Sequence, residues 1–120
     1  MKGLIAYNVK AVGKIDYRPL TLTVNDKRAI VGGLVGETYF GWMFASLFWV
    51  SEKYRGKGWG KSLMESAEKE ARKRGVRQVY LDTFSFQARG FYERLGYRAF
   101  GQIDDYPPGE TRFFLSKRID

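Results

Sequence analysis

The sequence predicts a mixed α/β domain, and three features of the chain argue for it. Arg18 to Val24 alternates, with Leu20, Leu22 and Val24 on one face, and an Asn25-Asp26 turn joins it to a second run, Arg28 to Glu37, as in a β-hairpin. Trp42 to Val50 is almost wholly apolar, which suits a central strand buried on both faces. An amphipathic helix and another strand follow closely, and a strand–helix–strand crossover of this kind has parallel strands.

In chain order, Leu4, Ile5, Val9 and Val12 suggest a short helix over Met1 to Ala11, although the β-branched residues also suit a strand. Gly32, Gly33 and Gly36 weaken the second hairpin strand and point to a bulge or a close backbone approach. Tyr39 to Gly41 is a turn before the apolar strand. Gly58 to Arg74 is the clearest helix, with Leu63, Met64, Ala67 and Ala71 in one stripe. Glu65/Lys69, Glu68/Arg72 and Glu70/Arg74 are i,i+4 pairs in the favourable order, and Gly75 supplies the C-terminal cap position. Val76 to Thr83 is the returning strand, and Gln87 to Leu95 a second helix closed by Gly96. Tyr97 to Ile103 and Arg112 to Lys117 are strands around the turn-rich Asp104-Asp105-Tyr106-Pro107-Pro108-Gly109.

With 120 residues, 44% of them hydrophobic, the chain fits one domain over residues 1–120, without linker or repeat. Lys+Arg 21 against Asp+Glu 13 gives a net charge of +8, which favours an anionic partner or cofactor. Having neither cysteine nor histidine, the chain cannot form disulfides, thiolate or imidazole metal sites, a Cys nucleophile or a His base. Proton transfer falls to Tyr, carboxylate, Lys or water, and no metal is expected. The longest apolar stretch is too short to span a membrane, and a basic-then-apolar leader is lacking, so a cytoplasmic protein is the expectation.

The segment Arg55-Gly56-Lys57-Gly58-Trp59-Gly60-Lys61 breaks the apolar strand and opens the helix. Alternate glycines, uncapped first-turn N–H groups and the positive end of the helix dipole suit a phosphate or diphosphate. A Walker-type loop ending in Gly60-Lys61-Ser62 would need glycine at position 55, where Arg55 stands, and the dinucleotide fingerprint fails on spacing too. What remains is Arg55-x-x-Gly58-x-Gly60, which resembles the R/Q-x-x-G-x-G/A motif of the GNAT superfamily, the acyl-CoA-dependent N-acetyltransferases. A second segment, Phe91-Tyr92-Glu93-Arg94-Leu95-Gly96-Tyr97, is similar to that family's F-Y-x-x-x-G-Y/F signature. Together they cover the chain from about Arg18 onward.

The resemblance implies a mixed, mostly antiparallel sheet with a central parallel β-α-β crossover, shortened at the N-terminus, where the family carries more elements before the hairpin. It implies acetyl-CoA as co-substrate and transfer of its acetyl group to a primary amine by direct attack on the thioester. The diphosphate would lie on the loop of Arg55, Gly56, Lys57, Gly58, Trp59, Gly60 and Lys61, and the pantetheine arm along the backbone of Phe48, Trp49 and Val50. Gln87, with Thr83 and Ser85, would hydrogen-bond the cofactor or a neighbouring backbone. Tyr92 would protonate the departing thiolate; the alternatives are that it only packs its helix, or that Tyr97 is the acid. Glu37 and Glu52 are candidates for the general base, or ordinary surface carboxylates. Asp104 and Asp105 would attract a cationic acceptor or simply form the turn.

The acceptor stays open among small-molecule amines, peptide N-termini, lysine side chains and charged tRNA adducts, a small molecule being the working choice. Two other readings stand beside it: a non-catalytic acyl-CoA-binding regulatory domain, and a basic nucleic-acid-binding module suggested by charge and interleaved aromatics. Against the second, much of the basic charge falls in helix pairs or in the loop. A sheet edge or apolar face left open by a shortened N-terminus would also suit a homodimer.

Overall fold

The computed structural model describes residues 10–11 and 16–120. The helix expected over Met1 to Ala11 lies outside the described residues, apart from Lys10 and Ala11, which are helical. From Arg18 onward the order is β1 (Arg18–Asp26), β2 (Ala29–Tyr39), β3 (Trp42–Val50), a 3-10 turn (Glu52–Tyr54), α1 (Trp59–Lys73), β4 (Gln78–Phe84), α2 (Arg89–Arg94), β5 (Arg98–Asp104) and β6 (Thr111–Arg118). The strands form one sheet in the order β1-β2-β3-β4-β6-β5, antiparallel except for the β3/β4 pair.

Turn chemistry sets the hairpins. Phe40 and Gly41, between β2 and β3, both have positive φ, at 52° and 81°, the backbone of a two-residue turn that matches strand twist. Helix α1 ends in a Schellman cap, with Val76 N–H donating to Ala71 and Gly75 N–H to Arg72, each at 3.0 Å, while Gly75 takes φ 80°.

One sheet face packs on the helices. Leu20, Leu34, Met43, Ala45, Val79, Leu81 and Leu115 meet Leu63, Met64, Ala67 and Ala71 of α1, with Tyr92 and Tyr97 completing the cluster. Each fully buried Leu or Met here stabilises the fold by about 1.5–3 kcal/mol before the entropy of ordering is counted.

Two expectations are corrected. Of the three helix pairs, Glu70–Arg74 closes at 3.3 Å. Glu68 instead points into the core, only 4% exposed, where Lys117 donates at 3.0 Å and the Tyr97 hydroxyl at 2.8 Å, and Arg72 donates to the Ile119 carbonyl. A surface pair with Arg72 would have left two polar groups of the sheet side without partners. The second correction concerns β3. Met43 and Ala45 are buried, but Leu47 and Trp49 are 63% and 46% exposed, so the strand is not covered on both faces along its length. The reason is local. Register with β2 shifts at Ser46, which has no partner and donates its hydroxyl to the Val35 carbonyl at 2.9 Å, and beyond Ala45 the strand no longer pairs with β4.

Candidate active site

Strands β3 and β4 pair over four residues, from Trp42 opposite Gln78 to Ala45 opposite Leu81. Past that point they separate. The bulge at Ser46 bends β3 away, and Gly36 makes the bend possible, because a Cβ there would overlap the Phe44 carbonyl. The opening is a cleft of about 810 Å³ bounded by Ser46 to Val50 of β3, the end of β4, the glycine-rich loop, the start of α1 and one side of α2. On this side β3 has lost its neighbour, so the main-chain N–H and C=O groups that point away from β2, apart from the Val50 carbonyl taken by Arg55, are available to a ligand.

Gly56 and Gly58 take φ of 75° and 86° with open space where a side chain would be, so the loop needs them for conformation. Gly60 acts differently: a Cβ there would stand 3.2 Å from the Phe91 ring and 3.3 Å from Phe48. It lets α1 begin against the stacked Phe48 and Phe91 rings, 5.5 Å apart. Helix α1 starts with Ser62 N–H donating to Gly58 at 3.0 Å and has no side-chain cap, which leaves the Trp59, Gly60 and Lys61 N–H groups without a helical acceptor. Arg55 Nε donates to the Val50 carbonyl at 2.9 Å, and the Tyr54 hydroxyl donates to Asp26; both anchor the loop to the sheet.

Opposite the loop, Tyr92 is 7% exposed and touches Phe48 edge-on at 6.0 Å. Its phenol is pushed up to about 12, first by burial and then by the Asp82 charge. Asp82, on β4, lines the cleft and is gripped from behind by Arg112, Nη2 to Oδ2 at 2.9 Å and Nε to Oδ1 at 3.1 Å. The guanidinium lies 5.8, 5.2 and 5.0 Å from the Phe84, Tyr106 and Phe114 rings, which fix its plane. Tyr97 is elsewhere: its hydroxyl donates to Glu68 inside the core, and burial with the Glu68 charge raises its phenol far above the ordinary range.

The cleft therefore brings together Phe48, Trp49, Val50, Arg55, Gly56, Gly58, Gly60, Lys61, Gln87 and Tyr92 of the residues named from sequence. Gln87 spends its carbonyl oxygen on the β4–α2 turn, accepting from Phe84 N–H at 3.0 Å and from the Thr83 hydroxyl at 3.3 Å. Lys57 and Glu52 are exposed outside the lining, and the Trp59 ring packs on Tyr54 at 5.0 Å. Glu37 sits on β2, outside the lining, on the sheet face turned from α1. Asp104 and Asp105 lie beyond the lining, and Asp105 accepts from Gly109 N–H at 2.8 Å, a turn role.

Sequence reasoning missed Asp82 and Arg112. Asp82 alternates with buried Leu81 and Thr83 like any surface strand residue, and its partner is 30 residues away, so no local pattern joins them. Among the described residues no group of three or more Asp or Glu converges as a metal site, and no helix is long and apolar enough to cross a membrane.

Residues 6–97 match the model of the Acetyltransferase (GNAT) family. The chain belongs to that family. This GNAT chain is 40% identical over 117 residues to Acetyltransferase Atu2258 of Agrobacterium fabrum, covering 97% of its own length and 85% of that protein. It is 39% identical over 110 residues to the Blasticidin-S acetyltransferase of Streptomyces morookaense, covering 88% and 81%. A crystal structure of an acetyltransferase from Bacillus cereus superposes with a TM-score of 0.90 at 35% identity, over 98% of this chain and 86% of that one. The GNAT fold is thus present, and the protein is an acetyl-CoA-dependent N-acetyltransferase that delivers an acetyl group to an amine.

Proposed function

We propose that the acceptor is a small-molecule amine and that the reaction takes place where β3 and β4 part, within one acetyltransferase domain over residues 1–120. The early end of their pairing carries this reading, since it frees a length of main chain inside a cleft that a buried phenol also lines. The residues fit coenzyme A. Left-handed Gly56 and Gly58, the open N–H groups at the start of α1, and the charges of Arg55 and Lys61 suit a diphosphate; the free edge of Phe48, Trp49 and Val50 suits an amide-bearing arm.

In this reading the amine nitrogen attacks the thioester carbon, and a main-chain N–H of β3 faces the developing oxyanion. As the C–N bond forms and the C–S bond breaks, Tyr92 gives its proton to the sulfur. The ammonium proton leaves to the Asp82 carboxylate, directly or through water. That relatives include an acetyltransferase of blasticidin S supports a small-molecule acceptor, and dependence on acetyl-CoA supports the cytoplasm as the working compartment.

A thiol-release screen with acetyl-CoA against amines, peptides and lysine-bearing proteins tests this. Release with small amines and none with peptides or proteins is the expected result; the opposite order overturns the choice of acceptor. Acetyl-CoA that binds without release from any acceptor would instead make the domain a binding module.

A further inference from the structure

We propose that the acceptor is a dibasic amine, its reacting nitrogen beside Asp82 and its second cationic group held at Glu37 across an aromatic floor. The inference rests on the acetyl-transfer reading above and adds a substrate class to it.

On β4, Val79, Leu81 and Thr83 are buried towards the helices, so Tyr80 and Asp82 point to the other sheet face. By the same alternation Phe44 of β3 and Glu37 of β2 share that face, since Met43, Ala45 and Leu34 belong to the core. Register aligns them: Glu37 is opposite Phe44, and Phe44 is opposite Tyr80. Asp82 follows two residues along. The backbone positions that carry the two carboxylates therefore stand about 12 Å apart, two strand spacings across and two residues along.

Between them lie rings. Phe44 and Tyr80 stack at 4.7 Å, and Trp42 meets Tyr80 edge-on at 5.8 Å. The Tyr80 phenol between them is raised first by burial and then by the charges of Tyr39, Glu37 and Asp82. The floor runs from Glu37 to Asp82, which is part of the cleft wall, so a molecule on it has one end at the reaction site. Aromatic faces attract cations and cover methylene groups, and the carboxylates at the two ends, Asp82 paired with Arg112 and Glu37 accepting from the Tyr17 hydroxyl, keep further lone pairs for two ammonium groups.

The test compares thiol release from acetyl-CoA for α,ω-diaminoalkanes of increasing length with n-alkylamines of matching length. Diamines whose nitrogens reach about 9–12 Å apart should exceed the matching monoamine roughly tenfold in kcat/KM, and shorter diamines should not. In Glu37→Gln the ratio of diamine to monoamine kcat/KM should fall towards one. Equal kcat/KM at every length overturns the dibasic acceptor and leaves acetyl transfer intact; a preference that survives Glu37→Gln overturns the place of the second charge. Absence of release from every amine overturns both readings together. The length series uses the unaltered protein, so a variant that folds poorly does not hide the answer.

Discussion

Tyr92 and Tyr97 are both buried phenols five positions apart, yet their protons are spoken for differently. Tyr97 donates to Glu68, while the Tyr92 ring forms part of the cleft wall. Replacing Tyr92 by Phe should lower kcat roughly a hundredfold with the KM for acetyl-CoA almost unchanged. A general acid is lost as pH rises through its pKa. With that value at about 12, log kcat/KM should climb as the amine deprotonates and fall only at the alkaline extreme; a falling limb that persists unchanged in Tyr92→Phe would remove Tyr92 from the role. For Glu68, removal leaves Lys117 and the Tyr97 hydroxyl without their partner, so Glu68→Ala should destabilise the fold by about 3–5 kcal/mol in chemical denaturation. The place of Tyr92 in the cleft was legible because it sits in a short local signature. Glu68 was misread because the nearest rule pairs it with Arg72, whereas Lys117 lies 49 residues on and only the folded sheet brings it there.

At the scale of elements, glycines marked the strained places better than they explained them. The three in β2 suggested a bulge or a close approach, and both occur: Gly36 faces the Phe44 carbonyl at the bulge, while Gly33 admits the Trp49 indole, whose nitrogen would lie 3.1 Å from a Cβ. Gly36→Ala should destabilise by about 3 kcal/mol, read as a lower Tm, because backbone stands in the way and cannot rotate aside. Gly60→Ala meets side chains instead. The Phe48 and Phe91 rings can give by a few tenths of an ångström, so its Tm should change little, while acetyl-CoA affinity, measured by calorimetry, should fall several-fold as the loop is pushed from the cleft. The end points of β3, Trp42 and Val50, were legible from hydropathy alone. Its loss of cover after Ala45 was not, since Leu47 and Trp49 are as apolar as core residues and only the departure of β4 exposes them.

For the whole molecule, the basic excess was visible from the outset, but its use was not. Arg74, Arg112, Lys117 and Arg118 are committed to ion pairs with Glu70, Asp82, Glu68 and Asp120, whereas Arg55 and Lys61 border the cleft. Acetyl-CoA at a hundred times its Kd should stabilise the fold by about 2.7 kcal/mol, seen as a raised Tm. Lys61→Glu should shrink that gain, and so should 1 M salt, through screening. Sheet order was the least legible feature of all, because β6 enters between β4 and β5, a non-local pairing that no short window of sequence encodes.

The parting of β3 from β4 also bears on how such a protein can change over generations. In the proposed arrangement the donor would lie largely against main chain, which substitutions leave in place, while the acceptor would rest on replaceable side chains such as Glu37, Phe44 and Tyr80. A lineage can exchange those without rebuilding the part that holds the acetyl carrier. The short seam would then separate a half that tolerates substitution from one in which substitution changes the acceptor.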